Sequence, residues 1–263
     1  MGLFDIFRKK EEPKHKQPNK ILLAMPLFIN GDRYELSSII DNLKNFWGLD
    51  VVNDNGNNDT AILTVDGSMV AIAFMPVKVP EGDITGTSQY AYNWPAALDD
   101  LKEHSGHAIV SVMQSKKSAI DRFALLSKLL YSILKTSNAV GVYQGSQTLL
   151  IPKDQYLNSA EELKNNQIPI NLWVYIGLRK TAAGNCVYTY GLTEFGKQEM
   201  EVLNSSLGLE ELYDFIANIC VYVIGSNVTF KSGETLGYTA EQKIKISSSK
   251  GHLVEGESLK LEM

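Results

Sequence analysis

The chain has only two cysteines in 263 residues, Cys186 and Cys220, and no C-x-x-C pair. That excludes a disulfide scaffold and gives no support to thioredoxin-like redox chemistry. Four histidines leave little material for a metal centre. No apolar run reaches the roughly 18–20 residues that a bilayer span requires. G-x-G-x-x-G and the phosphate-cradling P-loop are both missing, so neither device for holding a nucleotide is present. Gly145-Ser146 lacks the rest of G-x-S-x-G, because position 143 is Tyr. Basic excess is missing too: the net charge is -5, which disfavours a nucleic-acid partner. With two thiols and no secretion signal, a cytoplasmic location is expected.

What is present is an ordinary globular composition, 44% hydrophobic and 21% charged. The charge is uneven. Residues 1–20 hold six basic and three acidic side chains, +3, and the remaining 19 basic and 27 acidic give -8. The leader, 1–20, therefore reads as a separate basic segment. It is either solvated or, through Leu3, Phe4, Ile6 and Phe7, in peripheral contact with an anionic membrane over residues 3–8. Ile6 breaks the myristoylation pattern that Gly2 would otherwise start.

The body alternates strand and helix signals. Residues 21–28 read as a buried strand and 34–47 as an amphipathic helix. Strands at 60–65 and 68–75 meet at Asp66-Gly67, a hairpin turn. A surface loop is expected over 76–92. A helix over 94–103, capped by Asn93 with Pro95 in its first turn, leads to a strand at 107–113. That order is the split β-α-β unit of the ferredoxin-like fold, with both helices on one face of an antiparallel sheet. The second half repeats the alternation: a helix over 118–135, a hairpin around Ala183-Gly184-Asn185, an acidic and partly helical stretch over 191–203, and a helix over 209–224. The expected architecture is α+β, with two ferredoxin-like lobes, residues 21–117 and 118–263, packed together.

Candidate chemistry is sparse. His104 and His107 stand as H-x-x-H, but Ser105-Gly106 between them suggests a helix end and a strand start, and no third ligand follows; no metal and no cofactor is expected. His107 is the better single imidazole. Glu194, Glu199 and Glu201 form an acidic group that reads either as a solvated helix face or as acids split in strength by burial. Tyr90-Ala-Tyr-Asn-Trp-Pro95 is dense in aromatics with an apolar body and a polar tip, which suits a binding surface; alternatively Trp94 anchors the next helix.

Ala24-Met-Pro-Leu27, Ala91-Tyr-Asn-Trp-Pro95, His107-Ala-Ile-Val110, Gly141-Val-Tyr143, Trp173-Val-Tyr-Ile-Gly177 and Gly191-Leu-Thr-Glu-Phe-Gly-Lys-Gln-Glu-Met-Glu201 together resemble an uncharacterised bacterial family, domain of unknown function 4261, over roughly residues 20–263. The resemblance implies a bacterial intracellular protein without assigned catalytic residues or cofactor. The Gly-Leu-x-x-Phe-Gly-x-x-Glu stretch is also similar to segments of proteins near toxin–immunity systems. Two functions are carried forward. One is a non-enzymatic protein-binding role, immunity-like, through Tyr90, Tyr92, Trp94, Glu194 and Glu199, with a basic protein partner suited to the acidic body. The other is a small hydrolase or other enzyme with His107 and Glu194 in a cleft between the lobes.

Overall fold

Alternation of large apolar side chains on both faces marks the first strand, β1 (Leu22–Ile29), as one covered from two sides. The computed structural model describes residues 21–114, 117–237 and 243–263. The leader and its membrane contact lie outside the described residues.

After β1 come helix α1 (Leu36–Asn45) and strands β2 (Val51–Gly56), β3 (Thr60–Val65) and β4 (Ser68–Met75). Two short helices, α2 (Glu81–Ser88) and α3 (Ala97–Asp100), precede the long strand β5 (His104–Gln114). Helix α4 (Ala119–Thr136) starts at a capping box in which Ser118 Oγ accepts from the Asp121 N–H and the Asp121 carboxylate accepts from the Ser118 N–H. Strands β6 (Gly141–Gln144) and β7 (Leu149–Pro152) follow, then helices α5 (Lys153–Ala160) and α6 (Ile170–Trp173). The last part holds β8 (Tyr175–Thr181), β9 (Gly184–Tyr190), β10 (Met200–Ser205), α7 (Leu209–Gly225), β11 (Thr235–Gly237), β12 (Lys243–Lys250) and β13 (Glu257–Glu262).

The described strands form two sheets. The first is antiparallel throughout, in the order β2-β3-β4-β5-β1-β6-β7. The second runs β11-β12-β13-β10-β9-β8, antiparallel except for the β10–β13 pair. The α+β class and the two antiparallel-rich sheets are as the sequence implies. The connectivity of the first sheet is not that of a split β-α-β unit. In that layout the strand at 107–113 would lie outside β1; here β5 sits between β4 and β1, continuing a meander from β2.

The helices also fall on opposite faces. Ala24 and Phe28 of β1 join Ile39 and Leu43 of α1 and Phe123 and Leu130 of α4 in the main core. Leu27, on the other face of the strand, packs with Val79, Ile84, Trp94, Ala97 and Leu101 from the α2–α3 segment. The reason is local: residues 76–103 yield only two short helices, and the apolar groups between them cover the second face of β1, β6 and β7. Asn93 does not cap the second of these; its amide donates to Leu150 O and Gln155 Oε1. The first sheet also takes in β6 and β7, so the sheets divide the chain between 152 and 175 rather than at 117. The main core continues from the first sheet through Trp173 and Ile176 to Val202, Ile216 and Leu259 of the second.

Candidate functional site

The hairpin β8–β9 turns at Ala182-Ala183 and sets Tyr175 opposite Tyr190 and Gly177 opposite Tyr188. Alternation puts these residues on one face of the second sheet, while Ile176 and Val187 point to the core beneath α7. Gly177 is required there: a Cβ would run into the Tyr188 ring, which lies across it. The loop between α2 and α3 brings Tyr90 and Tyr92 onto this face. Their rings pack on Tyr175 at centroid distances of 6.0 and 6.3 Å, and Tyr175 meets Tyr188 edge-on at 6.0 Å. Tyr92 Oη donates to Ile176 O at 2.8 Å, tying the loop to β8. Burial drives the Tyr92 hydroxyl pKa well above its ordinary value, with smaller contributions from Tyr213 and Tyr188, so it stays a donor. Tyr175 shifts the same way, chiefly through burial, and its hydroxyl is hydrogen-bonded to that of Tyr188. Yet Tyr90, Tyr92 and Tyr190 remain 40%, 49% and 42% exposed. The result is a fixed aromatic platform contributed by the α2–α3 loop and the β8–β9 hairpin.

Trp94, two residues beyond Tyr92, is in the core instead. Its Nε1 donates to Asp100 Oδ2 at 2.6 Å, and its ring lies where a Cβ on Gly141 would be, 2.5 Å away.

The acidic stretch is helical only over the short 3-10 turn Leu192–Phe195, and two of its acids, Glu199 and Glu201, are buried rather than solvated. Residues 191–196 form a tight turn with Gly191 at φ +121° and Gly196 at φ +69°, both in the region that favours glycine. Phe195 stacks on Phe123 and Trp173 at 4.6 and 5.9 Å. Glu199, buried, accepts from Thr189 Oγ1 at 2.7 Å, from the Gly191 N–H at 2.8 Å and from the Thr193 N–H at 3.3 Å. Burial outweighs these bonds and raises its pKa above the usual carboxylate range. Glu201, in β10, is the second buried acid. Fully buried, it accepts from Lys260 Nζ, from Ser258 Oγ at 2.6 Å, and from the N–H groups of His252 and Leu253. Burial would raise its pKa, but the four donors together bring it below the ordinary value. Sequence periodicity missed Ser258 and Lys260 because they join Glu201 only through the parallel β10–β13 pairing, 59 residues apart. Both acids are therefore architectural: one closes a turn, the other holds the 251–256 loop on the sheet.

The structure does not bring His107 and Glu194 together. His107 lies under the α2–α3 segment with Nδ1 2.9 Å from Val77 O. Glu194 sits near Arg122 of α4, on the other face of the first sheet. His104 uses both ring nitrogens on the backbone: Nε2 accepts from the Val79 N–H at 3.1 Å, so Nδ1 carries the proton donated to Leu101 O at 2.6 Å. Among the described residues no three His, Cys, Asp or Glu side chains are placed to hold a metal ion. Among them, too, no helix is long and apolar enough to cross a membrane. Cys186 and Cys220 are free and buried.

Compared with known proteins, residues 188–262 match the family model described as Domain of unknown function (DUF4261). The match takes in Gly191-Leu-Thr-Glu-Phe-Gly196, Glu199, Glu201, Ser258 and Lys260, that is, the turn and the buried ion pair. No curated protein and no solved structure matches the chain.

Proposed function

We propose that this is a non-enzymatic protein-binding protein of the cytoplasm, and that the tyrosine platform of Tyr90, Tyr92, Tyr188 and Tyr190 is its contact surface. The observation that carries this reading is the rigidity of an exposed aromatic patch: Tyr92 is bonded to the β8 backbone while about half its surface stays open. Tyrosines held in this way present a large contact area at little entropic cost on binding, which is the property of interface anchors. The partner is a protein with a basic surface, since the body carries an excess of acidic residues that would steer it. An immunity-like role, neutralising a basic toxin, is consistent with that charge. The experiment is parallel affinity capture from the native host with the wild-type chain and a Tyr90→Ser/Tyr190→Ser variant as baits. A basic protein retained by the first and lost by the second supports the proposal. Equal retention by both, or nothing retained by either, overturns it.

A further inference from the structure

The second sheet is wider than the helix that covers it. Its six strands span roughly 24 Å, while a helix with its side chains is about 10–12 Å across. Helix α7 packs chiefly against β8 and β9, at one end of the strand order. Toward the other end a cavity of about 480 Å³ lies between α7 and β11. Small-molecule sites occupy roughly 300–1,000 Å³. One wall of the cavity is a single stripe of α7, with Glu211, Asp214, Phe215 and Tyr222 at i, i+3, i+4 and i+11. Ile219 of the helix and Leu236 of β11, which pairs with Ile244 of β12, complete its apolar lining.

We infer that this cavity binds a small organic cation, with a protonated amine at Asp214 and Glu211 and an aryl or branched alkyl body laid toward Tyr222. The lining is graded along the helix. Both carboxylates stand near its start, and the apolar groups follow over about 12 Å from Asp214 to Tyr222. No Lys, Arg or His is among the lining residues. Glu211 has a role of its own at the helix start, accepting from the Gly208 N–H at 2.9 Å. Asp214 stands beyond that turn, is exposed, and takes part in no ion pair among the described residues. The Tyr222 ring is 48% exposed and is steadied by Phe230 at a centroid distance of 6.4 Å. An ammonium here gains from the carboxylates and from the aromatic faces, while the apolar lining takes its body out of water. A hard metal ion is not suited, because apolar walls cannot supply its six or more oxygen ligands. The site is independent of the tyrosine platform, which occupies the other face of the same sheet.

The test titrates the full chain calorimetrically with 2-phenylethylamine, which is charged at neutral pH. Two controls divide its chemistry: 2-phenylethanol keeps the body without the charge, and ethylamine keeps the charge without the body. The aryl amine should saturate the chain, and each control should bind at least about tenfold more weakly. Asp214→Asn and Tyr222→Ala should each weaken the aryl amine by about tenfold. Both side chains are exposed, so the melting temperature of either variant should stay near that of the wild type. Tyr90→Ser/Tyr190→Ser should leave the affinity unchanged. Failure to saturate by about 10 mM amine overturns the inference. So does equal affinity for the alcohol, or an affinity that Asp214→Asn does not alter. Loss of binding in the Tyr90→Ser/Tyr190→Ser variant would place the amine on the tyrosine platform and overturn it as well.

Discussion

Lys260 stands directly opposite Glu201 across the parallel pair β10–β13, and its ammonium donates to a carboxylate with no exposed surface. A charge in that position is tolerable because four donors converge on it; a change that keeps the shape but removes the charge turns an amide N–H₂ toward a site lined by the Lys260 ammonium and the His252 and Leu253 N–H groups, which can only donate.

Glu201→Gln should therefore destabilise the fold by about 3–5 kcal/mol, the cost of breaking a buried pair. Urea denaturation at neutral pH measures it; a loss too small to resolve would show that the pair is not structural. The pH dependence has a definite sign. The folded pKa is below the ordinary 4.5, so the stabilisation is complete above about pH 4.5 and is lost as pH falls through the folded value. The variant should lack that acid-side loss.

Glu199 should behave in the opposite sense. Its folded pKa is raised above 4.5, so ionisation works against the fold and stability declines as pH rises from 4.5 through the folded value. Glu199→Gln keeps an oxygen for the Gly191 and Thr193 N–H groups and removes that decline. It should cost less than Glu201→Gln at neutral pH, and less than Glu199→Ala, which leaves those donors unmet. Denaturation midpoints of the three variants, ranked side by side, decide the matter.

Gly177→Ala should displace the Tyr188 ring and cost about 1–3 kcal/mol through overpacking. Tyr90→Ser/Tyr190→Ser, by contrast, should change stability by only about 0.5 kcal/mol per site, since both rings are substantially exposed. Thermal melts distinguish the two, and a large loss in the serine variant would mean that the platform is a packing device rather than a surface.

His107 is buried and its pKa is lowered from 6.5, mainly by desolvation, with the Val77 carbonyl opposing and His104 reinforcing the shift. The unfolded chain takes up the proton first, so the contribution is complete above about pH 6.5 and shrinks as pH falls from there toward the folded value. His107→Asn, which retains a donor for Val77 O, should flatten the stability profile in that window. An unchanged slope would show that other groups set it.

Local patterns carried much of the architecture. The hairpin turn at Asp66-Gly67, with both residues at positive φ, and helices α4 and α7 follow from short-range chemistry: turn residues, caps and a 3.6-residue apolar repeat. The aromatic loop was legible as a surface feature through Tyr90 and Tyr92. Strand β10 was not, because acids at 199 and 201 signal solvent unless their partners are known, and those partners arrive from β9, β13 and the loop before it.

Composition and periodicity by themselves determined the mixed helix–strand class, the alternation of elements and the lack of a long apolar span, because each depends on residues within one or two turns of one another. Only the tertiary structure decided that β5 lies inside β1, that His107 and Glu194 are kept apart by a sheet, and that five tyrosines from loop and hairpin converge. Those outcomes depend on which faces find cover, and that is settled by contacts between segments distant in sequence, which no local pattern encodes.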